Sequence, residues 1–334
     1  MSETILDIED LTVVYKTDLE TIRAVNGIDL KIGVGKTLGL VGETGAGKTT
    51  TALSILRLLP SNTGRILKGS IRFHDLDILG LEEAKMREIR GAKIAMVFQD
   101  PMTSLNPVIS VGDQIAEAIE LHNEKMGKED IQKRVEEILS LVGILPSRKI
   151  DYPHQFSGGM KQRVVIAMAL ACEPELLIAD EPTTALDVTI QAQVLMMIKE
   201  LRNRLGTSML MITHNLGIVA KICDDVAVMY AGEIVEAGSV EDLFLGKKHH
   251  PYTEGLFGSI PSLSSRSARL NPIPGLMPDP SNLPEGCCFE PRCKYRMDIC
   301  AKTHPESIRF GTHSLRCHLF DQSSTRPEET GLKP

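Results

Sequence analysis

The run Gly42-Glu43-Thr44-Gly45-Ala46-Gly47-Lys48-Thr49-Thr50 constrains this chain more than any other stretch. It fits the spacing G-x-x-x-x-G-K-[ST]. Before it lies a short β-rich run, Thr37–Val41, and after it a helical pattern, TTALSILRLL. Glycines let the backbone curl so that its N–H groups converge on phosphate oxygens. The helix N-terminus adds partial positive charge at the same place. Lys48 is expected to reach the β- and γ-phosphates of a nucleotide, and the Thr49 hydroxyl to ligate Mg²⁺. Up to about Val240 the chain goes on alternating apolar strand-like runs with helical patterns, which predicts an α/β fold.

Residues 94–98, 176–179 and 209–212 read as further strands, the last two apolar on both faces as in a central parallel sheet. The run LLIAD ends in Asp180, with Glu181 next. A carboxylate at the C-terminal end of such a strand suits Mg²⁺ coordination, and Glu181 could polarise an attacking water. Residues 108–150 carry helical periodicity without a strong strand and read as a helical insert. Phe156-Ser157-Gly158-Gly159-Met160-Lys161-Gln162 opens another helix. Ser157 is an acceptable N-cap there. Two consecutive glycines suggest a close approach, for which an anion at the helix N-terminus is the natural candidate.

Composition narrows the function classes. Net charge is −7, with a pI near 5.8, so no excess of cation is available for a whole-chain nucleic-acid binder. Aromatics make up 4% and Trp is absent, which weighs against a stacking platform for single strands. The longest apolar run, residues 164–172, is about half of what a membrane helix needs. The N-terminal MSETILDIED is acidic and polar, unlike a secretory leader, so a cytoplasmic chain is expected.

Of the cysteines, Cys172 and Cys223 lie in apolar stretches and read as buried thiols. Cys287, Cys288, Cys293, Cys300 and Cys317 cluster in the last fifth of the chain, which in a cytosolic protein suggests metal. Prolines dominate from Pro251 onward, through Pro261, Pro272, Pro274, Pro278, Pro280 and Pro284, and this stretch reads as linker and loops beyond a boundary near 245–260.

Taken in order, these motifs resemble the nucleotide-binding subunit of an ATP-binding cassette (ABC) transporter over residues 1–245. Gly42–Thr50 matches its Walker A loop, Gln99 the Q-loop, Ser157–Gln162 the signature motif, and 176–180 with Glu181 Walker B and the catalytic glutamate. Ala185-Leu186-Asp187 matches the D-loop, His214 the switch histidine, and Tyr15 the aromatic that stacks on adenine. The resemblance implies a P-loop NTPase (RecA-like) core with a small antiparallel β subdomain and a helical subdomain at about 103–170. It implies ATP and Mg²⁺ as cofactors. Gly42, Glu43, Thr44, Gly45, Ala46, Gly47, Lys48, Thr49 and Thr50 would hold the phosphates. Mg²⁺ would be held through Thr49, Gln99 and Asp180, with catalysis by Glu181, His214 and Lys48. Ser157, Gly158, Gly159 and Gln162 would act on the ATP of the opposite subunit, because two cassettes sandwich two nucleotides.

Two segments point to a subfamily. DPMTSLNP (100–107) and HHPYTEGLFGSIPSL (249–263) resemble the D-type ATPases of dipeptide and oligopeptide importers. That resemblance implies an F-type ATPase partner, with a homodimer as the alternative in isolation. It also implies two integral-membrane permeases, an extracytoplasmic peptide-binding protein, no nucleic acid, and a place on the cytoplasmic side of the cell membrane. The extension, 246–334, matches a tail in which Cys287, Cys293, Cys300 and Cys317 ligate a [4Fe–4S] cluster, placed beyond the core and away from ATP. The gaps are longer than zinc pairs favour and do not fit the short ferredoxin spacings, but four thiolates suit either zinc or an iron–sulfur cluster. An ATPase for nickel or another solute, or a soluble ABC ATPase, is the alternative function.

Overall fold

The computed structural model describes residues 3–123, 125–183, 186–259 and 272–321. Ala185 of the D-loop match, residues 260–263 of the importer-like segment and the last residues of the extension lie outside that set.

The chain opens with two long antiparallel strands, β1 (Thr4–Lys16) and β2 (Thr21–Gly33). Strand β3 (Thr37–Val41) runs into the glycine-rich loop and helix α1 (Lys48–Ile55). Strands β4 (Gly64–Phe73) and β5 (Leu76–Asp77) return to β1, and α2 (Glu83–Ile89) leads to β6 (Ile94–Val97). Four helices follow: α3 (Pro101–Ser104), α4 (Val111–Glu120), α5 (Lys128–Leu141) and α6 (Gly158–Leu170). Next come β7 (Leu176–Asp180), α7 (Val188–Leu205), β8 (Ser208–Thr213), α8 (Leu216–Ile222), β9 (Asp225–Tyr230) and β10 (Glu233–Ser239). The C-terminal part adds α9 (Val240–Leu245), α10 (Pro251–Gly258), α11 (Asp298–Lys302), β11 (Ser307–Phe310) and β12 (His313–Arg316).

The strands form an antiparallel sheet, β2-β1-β4-β5, and a larger sheet, β11-β12-β10-β9-β3-β8-β7-β6. In the larger one, β9, β3, β8, β7 and β6 run parallel. Its central strands are buried on both faces, as their uninterrupted apolar sequences require. Alternation sorts those faces. Leu176, Ile178, Leu210 and Ile212 pack toward the antiparallel sheet, while Leu177, Ala179, Met209 and Met211 pack toward the helices. The expected strands and helical insert are therefore present; α3 and α6 belong to the same helical lobe. Among the described residues no helix is long and apolar enough to cross a membrane.

The proline-rich reading misses two things. Pro251 begins a helix, occupying the first turn, where a missing N–H costs nothing. His250 caps that helix, its Nδ1 accepting from the Tyr252 N–H at 3.1 Å. Further on, β12 pairs antiparallel with β10, matching Glu236 with Leu315 and Ala237 with Ser314. The extension therefore contributes two strands to the main sheet instead of hanging from it. Cys172 and Cys223 are half-buried, not fully enclosed.

Candidate functional site

The loop after β3 wraps the start of α1. Gly47 has φ +106°, and a Cβ there would lie 2.3 Å from the Ala24 carbonyl oxygen, so only glycine fits. Lys48 is buried. Its ammonium donates to the carbonyls of Gly42 and Glu43 at 2.8 and 2.9 Å, which uses two of its three N–H groups. Burial pulls its pKa down, opposed by the carboxylates of Glu181, Asp180 and Glu43. Thr44, Gly45 and Thr49 are exposed, whereas Gly42 and Ala46 are buried. The Tyr15 hydroxyl lies 3.2 Å from the Thr50 hydroxyl, which sets its ring beside the loop.

Strand β7 delivers Asp180 to the same place, with its carboxylate beside the Thr49 side chain. Burial raises its pKa, with the Glu181 charge adding to the rise, while Thr49 and Lys48 oppose it. A hydroxyl and a carboxylate set side by side are the oxygen donors Mg²⁺ takes.

Glu181 is held from two sides. Gln99, just past β6, donates its side-chain N–H to Glu181 Oε2 at 3.0 Å, and His214, just past β8, sits with Nδ1 3.2 Å from Oε1. Glu181 itself has φ +46°, a left-handed conformation that costs a residue with a Cβ about 1–3 kcal/mol. Three strand ends therefore converge on one strained carboxylate, 11% exposed at its side chain. Such a group can orient and deprotonate a water held against a phosphate.

The signature residues lie elsewhere. Ser157 is exposed and caps α6, accepting from the Met160 N–H at 3.4 Å. Helix α6 packs against α3, α4, α5, α7 and β6. Gly159 is accounted for within the chain: a Cβ there would meet Ile190 Cγ2 of α7 at 2.5 Å, so its anion reading is not required. Gly158 has open space apart from Leu186 at 3.8 Å. Gln162 is 1% exposed with its Nε2 unpartnered. It faces inward from the first turns of α6, which does not fit a contact on another subunit's nucleotide. Asp187 caps α7, accepting from the N–H groups of Thr189 and Ile190 at 3.1 and 3.0 Å.

The cysteines converge in the extension. Cys287, Cys293, Cys300 and Cys317 act on one another electrostatically, and Cys287 N–H donates to the Cys300 carbonyl at 2.7 Å. Burial pushes the Cys287 and Cys317 thiols up to about 12 and also raises Cys293. Cys288 is buried apart from them, its thiol 3.9 Å from Glu233 Oε1.

Sequence reasoning missed what this extension touches. Arg292, the residue before Cys293, forks onto the carboxylate of Glu43, with Nη1 2.9 Å from Oε2 and Nη2 3.1 Å from Oε1. Tyr252 of α10 is fully buried, and its hydroxyl accepts the Glu43 N–H at 2.8 Å. The extension, expected beyond the core, thus reaches back onto the nucleotide loop through these two residues. Two contacts 209 and 249 residues apart in sequence leave no local signal.

The sequence profile of the ABC transporter family matches residues 25–184. That of the oligopeptide/dipeptide transporter C-terminal region matches 235–300. The chain is 49% identical over 323 residues to the dipeptide transport ATP-binding protein DppD of Bacillus subtilis (strain 168), covering 96% of each chain. It is 47% identical over 322 residues to the oligopeptide transport ATP-binding protein AppD of the same organism, covering 96% of this chain and 98% of that one. Among solved structures, it superposes on CbiO1 of Clostridium perfringens, part of an ABC transporter complex, with a TM-score of 0.63 at 32% identity, over 73% of this chain and 92% of that one. A dimeric ATP-binding cassette in a post-hydrolysis state, bound to ADP and phosphate, also gives 0.63, at 26% identity over 70% and 98%.

Proposed function

The chain belongs to the ATP-binding proteins of ABC transporters that carry the oligopeptide/dipeptide C-terminal region, and on that footing we propose that it is the subunit whose ATP hydrolysis energises uptake of dipeptides or oligopeptides. Its cassette is 1–245, with the helical lobe near 103–170, and its extension 246–334. The observation that carries the reading is Glu181, strained and bracketed by Gln99 and His214 beside the Thr49–Asp180 pair.

The mechanism follows from these residues. Tyr15 receives the base, and the N–H groups of 42–47 with Lys48 hold the β- and γ-phosphates. Thr49 and Asp180, with Gln99 nearby, would hold Mg²⁺, which would supply positive charge against the γ-phosphate. Glu181 takes a proton from the attacking water, and His214 keeps that carboxylate aimed. Exposed Ser157, with the glycine N–H groups at the start of α6, serves the nucleotide of a second cassette. Two cassettes then close over two ATP molecules. The second is an F-type ATPase, or another copy of this chain in isolation. The motion is delivered to two permease subunits fed by an extracytoplasmic peptide-binding protein. This chain sits peripherally on the cytoplasmic side of the membrane.

In the extension, Cys287, Cys293, Cys300 and Cys317 would hold a [4Fe–4S] cluster, with zinc as the alternative ion. The donor chemistry fits: burial raises the pKa of Cys287, Cys293 and Cys317, and a bound metal would displace the protons those thiols hold. The cluster's contribution is structural: it ties together a lobe with few long apolar runs.

Glu181→Gln provides the test. It should retain MgATP binding and lower hydrolysis about 10²–10⁴-fold in the assembled transporter. Unchanged turnover would remove Glu181 from the mechanism.

A further inference from the structure

We infer that Arg292, with Tyr252, is a positioning residue for the phosphate loop: the C-terminal lobe grips Glu43 from outside the cassette and sets the loop's conformation for nucleotide. The inference rests on the nucleotide reading of that loop.

Arg292 is a fully committed guanidinium. Its five N–H groups meet five acceptors. Nε donates to the Pro274 carbonyl at 3.0 Å. Nη1 donates to Glu43 Oε2 at 2.9 Å and to the Tyr230 hydroxyl at 3.4 Å. Nη2 donates to Glu43 Oε1 at 3.1 Å and to the Ile273 carbonyl at 3.5 Å. Its side chain is 6% exposed and that of Glu43 31%. A two-pronged pair at that depth fixes both distance and plane, which a single lysine ammonium would not.

Glu43 is gripped at the backbone as well. Its N–H donates to the hydroxyl of fully buried Tyr252, whose ring packs against Tyr230 and Phe289 with centroids 4.6 and 5.5 Å away. On the other side of the same peptide segment, the Gly42 and Glu43 carbonyls receive the Lys48 ammonium. The extension therefore holds Glu43, one of the two residues whose carbonyls receive the phosphate-binding lysine. A third touch comes from Met277, whose methyl would lie 3.2 Å from a Cβ at Gly45.

The grip is tied to the cysteines. Arg292 closes a single 3₁₀ turn, Glu290–Arg292, whose ends are pinned by Glu290 N–H to the Cys287 carbonyl at 3.0 Å and by Cys293 N–H to the Glu290 carbonyl at 3.1 Å. Whatever orders Cys287 and Cys293 thereby orders Arg292, and through it Glu43.

A double-mutant cycle on the full chain tests this, with MgATP affinity read by titration and exchange of the 42–47 amides read by mass spectrometry. Arg292→Met and Glu43→Gln should each weaken MgATP binding about tenfold, the scale of one charge-assisted pair. The double variant should be no weaker than the worse single one, since each removes the same contact. Loop amides should exchange faster while those of β7 and β8 do not, and Arg292→Lys should recover part of the affinity. If Arg292→Met fails to fold, Tyr252→Phe deletes one hydroxyl and should still speed exchange at Glu43 and weaken MgATP a few-fold. Folded variants that bind MgATP within about twofold of wild type, or losses that simply add, overturn the positioning role. Wild-type protein that binds no MgATP overturns the nucleotide reading beneath it.

Discussion

The parallel half of the main sheet and the C-terminal lobe solve the same problem with different chemistry. Strands β3, β7 and β8 are apolar on both faces and are enclosed by two hydrophobic clusters. Their order comes from burial, and burial is non-directional. The lobe has only short elements; it shares an apolar cluster with β9, around Tyr230, Tyr252 and Phe289, and adds directed contacts: Arg292 to Glu43, His304 to Glu233 at 2.7 Å, and His249 and His313 both to Glu236 at 2.9 Å. Directed contacts fail singly and selectively. A sheet held by burial alone supports chemistry without sensing it, whereas a lobe that adds polar joints to its apolar packing transmits whatever alters one joint.

The largest expected effect separates the two regions from the core side. Lys48→Ala should weaken MgATP binding by about 1.5–3 kcal/mol, since the phosphates lose their one buried cation. The lobe should keep its protease resistance, because no contact of the extension runs through the Lys48 ammonium. Titration with MgATP and limited proteolysis check both halves, and a lobe that loosens with Lys48→Ala would break the contrast.

Cys293→Ser approaches from the other side and should have an intermediate effect. It should open residues 272–321 to protease and lower the iron and sulfide content of anaerobically purified protein. Through Arg292 it should also weaken MgATP binding by about 0.5–2 kcal/mol. Intact affinity in a protein with a visibly loosened lobe would show that the two regions are packed together but not coupled.

The smallest effect concerns pH. His249 faces acceptors at both ring nitrogens, Glu236 at Nδ1 and the Gly246 carbonyl at Nε2, both at 2.9 Å. The hydrogen bond to Glu236 raises its pKa against the cost of burial. Burial would raise the pKa of Glu236, but hydrogen bonds from His249, His313 and the His250 N–H outweigh it and bring it to about 2. A raised histidine stabilises the fold fully below its ordinary 6.5 and ceases to as pH climbs through its folded value. The Glu236 contribution is present above 4.5 and is lost as pH falls towards about 2. Burial lowers His250 to about 4, so its contribution is present above 6.5 and is lost as pH falls through 4. His249→Gln keeps a donor to Glu236 and removes the charge together with the ring, and the ring's loss is the same at every pH. The wild-type advantage in urea unfolding should be about 1 kcal/mol below pH 6.5 and should shrink above it, while the acid limb is common to both. A difference that stays flat through that range would show His249 to be neutral.

These contrasts also explain what the sequence made legible. The phosphate loop, the Asp180–Glu181 pair and the capping Ser157 are local patterns, each with its strand or helix adjacent in the chain. Gln99 and His214 are lone residues that acquire meaning only where β6 and β8 end beside β7. The inward turn of Gln162 and the packing of Gly159 against Ile190 depend on which face of α6 meets α7, which weak amphipathicity does not announce. Least legible were Arg292 and Tyr252. A charged residue and an aromatic in a proline-rich stretch look like surface and loop until the chain returns to Glu43.

The pairing of β12 with β10 has a consequence for anyone trimming this protein. Cut after α9, the chain would leave β10 with an unpaired row of N–H and C=O groups, running beside the apolar strand β9. Such an open border is a template for another copy of itself, and aggregation follows from it without any fault in the core. In the intact chain, β12 fills that position and the outermost strand becomes β11, four residues long and carrying Arg309. Short, charged margins of that kind recruit strangers poorly, so the extension covers a border that the cassette alone would leave open.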